Sequence, residues 1–159
     1  MRRAFWRLFF PFLYGVLRLT DPFWSRLTRR RGLGDTVELV VVGRRTGQAR
    51  RVMVGLLAVG DRRYVGHANA RAAWLANLAA AGEGRLTVDG SSPILVRATR
   101  LAPGAEQDAV ARAGGYQHPF PVDIAYRVAW ASIRRDGVFF RIESLDGAPI
   151  ALPARVRRI

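Results

Sequence analysis

The sequence predicts an α+β fold: a small, mostly antiparallel β-barrel of about six short strands, with peripheral helices and an amphipathic helix at the amino terminus. Three observations predict it. Short β-branched runs are joined by tight turns such as Gly60-Asp61, which is typical of hairpins. Helical stretches do not alternate regularly with the strands, which argues against a doubly wound parallel sheet. The chain has 159 residues, and 50% are hydrophobic, which suits one domain with a core.

The amino-terminal segment, residues 1–34, is predicted to be helical and amphipathic. Arg3, Arg7 and Arg18 fall on one side of a helix, and aromatic and aliphatic residues cover the rest. The uncharged stretch between Arg7 and Arg18 has ten residues, too few to span a bilayer. This pattern favours a helix lying in a membrane interface, on the inner face of the cell membrane. The alternative is a helix packed on the domain's own core, interrupted at Pro11.

The strands are predicted from β-branched runs and the turns between them. Thr36–Val42 is the clearest case, because its sequence TVELVVV is typical of a largely buried strand. The turns Gly60-Asp61 and Asp89-Gly90 each join two further runs into hairpins. The predicted strands are residues 36–42, 50–59, 63–66, 85–88, 94–101 and 138–142.

The helices are predicted from apolar spacing and from residues typical of helix ends. Trp74, Leu75 and Leu78 share one helical face, and Gly114-Gly115 is interpreted as a helix terminator. The predicted helices are residues 22–30, 71–80, 103–113 and 122–133. The predicted organisation is therefore the amino-terminal segment 1–34, a barrel domain 35–146 and a loose basic tail 147–159.

Composition limits the classes of partner. Cysteine is absent, which excludes disulfides and cysteine-ligated metal sites and fits a reducing cytosol, so a cytoplasmic location is expected. The formal net charge is +14, which predicts an anionic partner: a nucleic acid, an anionic lipid surface or a polyanionic ligand. Nucleic acid ranks last, because the basic residues are spread along the chain and no recognition motif is present. Two histidines without cysteine give no recognisable metal-ligand spacing, so no metal is expected.

The stretch GRRTGQARR, Gly43–Arg51, concentrates positive charge between two predicted strands. Its glycines allow a turn whose backbone N–H groups hold an anion, the Thr46 hydroxyl adds a donor, and arginine binds phosphate through paired hydrogen bonds. Arg44 and Arg51 are expected to be surface residues. The spacing is that of neither a P-loop nor a dinucleotide-binding loop. The alternative is a solvated basic turn.

Two segments carry a resemblance to a known family. VELVVVGRRTGQARR and ARAAWLANL together resemble the deazaflavin-dependent nitroreductases and quinone reductases, actinobacterial split β-barrel proteins that use coenzyme F420. In that family an apolar strand is followed by a Gly-Arg-basic-Ser/Thr-Gly loop, a second strand and a Trp-x-x-Asn-Leu helix. Gly43–Arg50 and Trp74–Leu78 match this pattern here. The resemblance covers about residues 37–101 and extends more weakly to Glu143.

The resemblance implies a split barrel related to those that bind flavin mononucleotide, with the deazaflavin as the expected cofactor and flavin mononucleotide less expected. It implies hydride transfer from the reduced deazaflavin to a lipophilic, electron-poor acceptor of the quinone or nitro class. Tyr116 is the implied hydrogen-bond donor to the acceptor, and a packing role is its alternative. The residues implied to contact the cofactor are Arg45, Thr46, Gly47, Arg50, His67, Asn69, Trp74 and Asn77. Split barrels of this class are often dimers, so a homodimer is also expected.

The sequence departs from the family pattern at several positions. Ala49 replaces the usual proline, Ala72-Ala73 lacks the common proline before the tryptophan, and Gly55 stands where an aromatic often follows. These departures motivate a second hypothesis, a non-enzymatic membrane-surface carrier or sensor that binds a lipid or another hydrophobic ligand in the same barrel.

Overall fold

The computed structural model describes residues 35–119 and 122–153. The predicted amphipathic segment 1–34 and residues 154–159 of the predicted tail lie outside the described residues. All six strands predicted between residues 36 and 142 are present, with small changes at their ends. The strands are β1 (Thr36–Val42), β2 (Ala49–Val59), β3 (Arg62–His67), β4 (Glu83–Thr87), β5 (Ile94–Arg100) and β6 (Val138–Ser144).

The six strands form one closed antiparallel barrel. Their order around it is β1-β2-β3-β6-β5-β4, and β4 pairs with β1 to close the ring. The first hairpin pairs Thr36 with Gly55 and Val42 with Ala49. The predicted α+β split β-barrel is therefore confirmed.

Side chains fill the barrel interior because they alternate along each strand. Val37, Leu39 and Val41 point inward from β1, and each is at most 2% exposed. Val54 and Leu56 on β2 belong to the same interior cluster. The inside of the barrel is thus a packed core.

In the part of the chain that the structure describes, four helices pack around the barrel: α1 (Ala73–Ala81), α2 (Ala105–Gln117), α3 (Val122–Val128) and α4 (Trp130–Asp136). Helix α1 contributes Leu75 and Leu78 to the interior cluster. Helices α2 to α4 lie between β5 and β6 in the chain and form a second cluster with outward-facing strand residues. That outer cluster is Leu57, Tyr64, Leu101, Val110, Ala111, Tyr126, Ile133 and Phe139. Within residues 35–119 and 122–153, no helix has the length and apolar character needed to cross a membrane.

The prediction that Gly114-Gly115 ends a helix is wrong. Helix α2 continues through both glycines to Gln117. A Cβ atom on Gly114 would lie 2.5 Å from Cδ1 of Tyr126, so this glycine allows α3 to pack closely against α2. Gly114 permits a close approach of two helices here, whereas a glycine pair after an apolar stretch more often ends a helix.

The single helix predicted over residues 122–133 is also wrong, because two short helices occupy that stretch. Helix α3 ends at Val128 and α4 begins at Trp130. Between them Ala129 has φ −92° and ψ 13°, outside regular helical geometry. Alanine is the strongest helix former, so the sequence carries no local signal for this break.

Part of the predicted loose tail packs against the barrel. Ile150 is 5% exposed and belongs to the interior cluster. The Nε atom of Arg63 donates a hydrogen bond to the Ile150 carbonyl at 3.1 Å. The first residues of this segment are therefore attached, and the domain boundaries stay a prediction.

Residues 56–59 of β2 extend beyond the first residue of β1, and a side chain of α2 forms hydrogen bonds with the β2 backbone there. The pairing with β1 starts at Gly55, and the Leu56 amide donates to the Asp35 carbonyl at 2.7 Å. Two residues later, Gln117 Oε1 accepts from the Ala58 amide at 2.8 Å, and its Nε2 donates to the Ala58 carbonyl at 2.6 Å. The Gln117 amide thus stands in for a neighbouring strand and fixes the end of α2 on the barrel.

Candidate functional site

The basic loop between β1 and β2 folds into a tight turn. The Gly43 amide donates to the Gln48 carbonyl at 2.8 Å, and the Gly47 amide donates to the Gly43 carbonyl at 2.8 Å. Gly47 has φ +66°, a left-handed conformation that favours glycine. The glycine at this predicted cofactor position is therefore required by the turn itself.

Thr46 and Arg50 approach each other over Gly43. A Cβ atom on Gly43 would lie 3.1 Å from Thr46 Oγ1 and 3.5 Å from Arg50 Cγ, so the absence of a side chain brings the hydroxyl and the arginine together. Arg45 and Arg50 are exposed, and no described acidic side chain pairs with either. Two arginine side chains and a threonine hydroxyl are thus part of one short turn.

Arg51 behaves differently from Arg50. Its Nε atom lies 3.4 Å from Glu38 Oε1. Glu38 alternates with the inward-facing residues of β1, so this pair lies on the outer surface of the barrel. Arg51 is a surface residue, as expected.

Arg44 was also expected to be surface only, and the structure shows a contact that sequence reasoning missed. Its amide and its NH1 atom both donate to Oδ1 of Asn77, at 3.3 Å and 3.1 Å. These residues are 33 positions apart, so no local pattern could have revealed the pair. Asn77 therefore holds the basic loop against α1.

His67 and Asn69 form a second, separate turn at the end of β3. The Asn69 amide donates to His67 Nδ1 at 2.9 Å, and the Arg71 amide donates to Asn69 Oδ1 at 2.9 Å. This turn leads into α1, where Trp74 packs against the interior cluster. Helix α1 thereby links the His67 turn to the basic loop.

The His67 turn should make stability depend on pH. Burial lowers the pKa of His67, the charge of nearby His118 lowers it further, and a contact with the Asn69 backbone opposes the shift. The unfolded chain therefore binds the proton more tightly, so the free energy of unfolding should fall as pH drops below about 6.5. Urea unfolding between pH 7.5 and pH 5 measures this slope. His67→Gln should flatten it, and an unchanged slope would contradict the assignment.

Tyr116 lies on α2 and its side chain is 59% exposed. It is therefore not a buried packing residue. No contact in the described part of the chain brings it to the basic loop, and its role as a donor stays a prediction.

The structure brings together a buried acid–histidine pair that the sequence pattern did not suggest. His118 Nδ1 contacts Oδ2 of Asp35, and the side chains are 10% and 2% exposed. His118 directly follows Gln117, and Asp35 directly precedes β1. We refer to this pair below as the dyad. Residues 35–119 and 122–153 contain no group of three histidine or acidic side chains that could bind a metal ion together.

Comparisons with known proteins relate the fold to solved structures. No protein-family model and no curated protein matches the sequence. A conserved hypothetical protein of Mycobacterium tuberculosis aligns with a TM-score of 0.51 and 14% identity, over 76% of this chain and 79% of that one. The heme storage protein HutZ of Vibrio cholerae aligns with a TM-score of 0.52 and 12% identity, over 76% and 88%. The chain has the split-barrel fold.

A third structure, a protein of unknown function from Agrobacterium tumefaciens, aligns with a TM-score of 0.50 and 16% identity. That alignment covers 88% of this chain and 63% of the other. At these identities the likeness establishes the fold alone. The resemblance to the deazaflavin-dependent family therefore stays a prediction.

Proposed function

We propose that this protein is a deazaflavin-dependent oxidoreductase that binds coenzyme F420 at the basic loop and reduces a lipophilic quinone or nitro compound. The observation that carries the proposal is the turn that contains Arg45, Thr46 and Arg50, in which the Thr46 hydroxyl and Arg50 approach each other and neither arginine has an acidic partner among the described residues. A deazaflavin with a phosphodiester and a carboxylate tail is a polyanion. Arginine forks, a hydroxyl and turn amides are the donors that such a group requires.

The chain's own residues would bind and orient the cofactor. Arg45 and Arg50 neutralise the phosphodiester, and Thr46 donates its hydroxyl. Asn77 on α1 holds the basic loop in place through Arg44. The His67 turn, which precedes α1, would supply further polar groups. When bound, the deazaflavin supplies the hydride, and the protein contributes orientation and electrostatic stabilisation.

Exposed apolar side chains support a lipophilic acceptor. Ile124 and Val128 lie one helical turn apart on α3 and are 44% and 58% exposed. Tyr116, on the neighbouring α2, is exposed as well. Exposed apolar side chains on α3 and an exposed hydroxyl donor on α2 are the kinds of group that a quinone would require. Association with an anionic membrane through residues 1–34, in the cytoplasm, and assembly as a homodimer belong to the same proposal.

Titration of purified protein with oxidised coenzyme F420, followed by its fluorescence, tests the proposal. Saturable binding is expected, and Arg50→Ala should weaken it by about 10- to 100-fold, because a hydrogen bond to a charged group contributes about 1.5–3 kcal/mol. Arg51→Ala is the matched control, since Arg51 pairs with Glu38 outside the loop. It should leave the affinity within about threefold.

The same titration with other ligands distinguishes the alternatives. Absence of F420 binding, or equal effects of the two arginine variants, would overturn the proposal. Tight binding of flavin mononucleotide, or of heme, the ligand named for the Vibrio protein, would identify a different cofactor and contradict the assignment of coenzyme F420. A lipid inside the barrel has no support from the structure, because Leu39, Leu56 and Val96 fill that space and are fully buried.

A further inference from the structure

The dyad lies beside the His67 turn, whose His67 and Asn69 are implied contacts of the cofactor. The pairing of β2 with β3 ends at Leu56 and Val65. Gly55 is the first residue of β2 beyond the end of this pairing. A Cβ atom on Gly55 would lie 2.5 Å from His118 Cε1 and 2.7 Å from Asp35 Oδ2, so the dyad occupies the space above this glycine. On β3, Gly66 and His67 follow Val65. The dyad and the His67 turn therefore adjoin the same end of the β2–β3 ladder.

Three atoms of the His118 ring are enclosed by the protein. Nδ1 contacts Asp35, Cε1 lies over Gly55, and Cδ2 would be 3.3 Å from a Cβ atom on Gly114. The ring of Tyr126 packs at a centroid distance of 4.6 Å. No described residue hydrogen-bonds Nε2, which is therefore the atom through which the ring can reach another molecule.

Asp35 contacts one of the two nitrogens of the His118 ring. Its Oδ2 is buried and has no hydrogen bond of regular geometry among the described residues, and His118 Nδ1 is the nitrogen that contacts it. A buried carboxylate requires a donor, so the neutral ring carries its proton on Nδ1 and leaves the lone pair on Nε2. Acid–histidine pairs with this arrangement transfer protons in other enzymes.

We propose that His118 is the proton-transferring catalytic residue of this site and that Asp35 is its positioning residue. The inference rests on the proposed function. The hydride brings two electrons to the acceptor, which gains negative charge on oxygen. The Nε2–H bond of protonated His118 then breaks, its electron pair stays on Nε2, and an O–H bond forms on the acceptor. His118 Nε2 is then protonated again from solvent, and the proton that the reduced deazaflavin would lose on oxidation balances this one.

Nuclear magnetic resonance of the full chain without cofactor gives a readout independent of activity. The chain has two histidines, so long-range ¹H–¹⁵N spectra assign both rings with the help of His67→Gln. His118 should be neutral with the proton on Nδ1 at high pH. Asp35→Asn should move that proton to Nε2, because the asparagine amide can donate to Nδ1. A wild-type ring with its neutral proton on Nε2 would overturn the proposal.

Kinetics with reduced deazaflavin and a water-soluble benzoquinone give the second readout. His118→Ala should slow product formation by about 10²- to 10⁴-fold with cofactor affinity unchanged, and millimolar imidazole should restore part of the rate. Asp35→Asn should also slow the reaction, while Asp108→Asn, a matched acid-to-amide change beside Arg134 on the surface, should not.

The outcomes separate the two proposals. If the wild-type protein fails to bind the deazaflavin, the proposed function falls, and the catalytic role of His118 falls with it. If the cofactor binds and reduces the quinone but His118→Ala reacts at the wild-type rate, the proposed function stands and this inference is overturned. If His118→Ala does not fold, the rate of quinone reduction by His118→Gln, with and without imidazole, tests the inference in the same way.

Discussion

Replacing Phe139 with alanine is expected to lower the free energy of unfolding by about 3–5 kcal/mol. Phe139 is fully buried in the outer cluster and is paired with Gly66 across β3 and β6. Its ring packs directly on the bare backbone of Gly66. Because glycine has no side chain that could move into the vacated volume, the cavity should persist, and the cost should lie near the upper end of the range for such substitutions.

Urea unfolding at neutral pH measures this effect. Phe139→Leu is the matched control, because it keeps most of the buried volume and should cost less than half as much. An equal loss for both variants would show that the aromatic shape, and not the cavity, determines the cost. A loss below about 1 kcal/mol for alanine would contradict the close packing on Gly66.

Replacing Gln117 with alanine is expected to lower the free energy of unfolding by about 2–6 kcal/mol, since an unsatisfied buried group costs about 1–3 kcal/mol and two would be left. The Gln117 amide satisfies both backbone groups of Ala58. No other described group takes their place. Loss of this pair should also free the end of α2, and with it His118.

Hydrogen exchange at the Ala58 amide tests the mechanism directly, and urea unfolding tests the magnitude. Protection at Ala58 should fall in Gln117→Ala while the Val40 amide in the first hairpin keeps its protection. Gln48→Ala is the matched control, because Gln48 is exposed and should change stability by less than about 0.5 kcal/mol. Unaltered exchange at Ala58 would show that another group supports the end of β2.

The strands could be predicted from the sequence because their signals are local. Thr36–Val42 was predicted to the residue, since its apolar, β-branched run ends at a glycine and enters a turn. Gly114 misled the prediction, because glycine marks a helix end as readily as a close contact. The ring of Tyr126 that requires this glycine belongs to a different helix.

The candidate site was predictable only where one segment carries it. The order of residues in the basic loop predicts Arg45, Thr46 and Arg50 as the candidate anion contacts, and the structure places Thr46 and Arg50 side by side. The contact of Arg44 with Asn77 spans 33 positions, and the contact of Asp35 with His118 spans 83. Such contacts depend on how the barrel closes and on where α2 ends. They therefore cannot be predicted from local sequence patterns.

The helices between β5 and β6 leave and rejoin the barrel at neighbouring points. The Leu101 amide donates to the Phe139 carbonyl at 2.9 Å, and Arg100 is paired with Phe140. A chain that returns to its point of departure can be lengthened, shortened or exchanged without altering the strand register. The basic loop and the helices between β5 and β6 can therefore diversify independently in evolution. A grafted helical segment would have to supply its own substitute for Gln117.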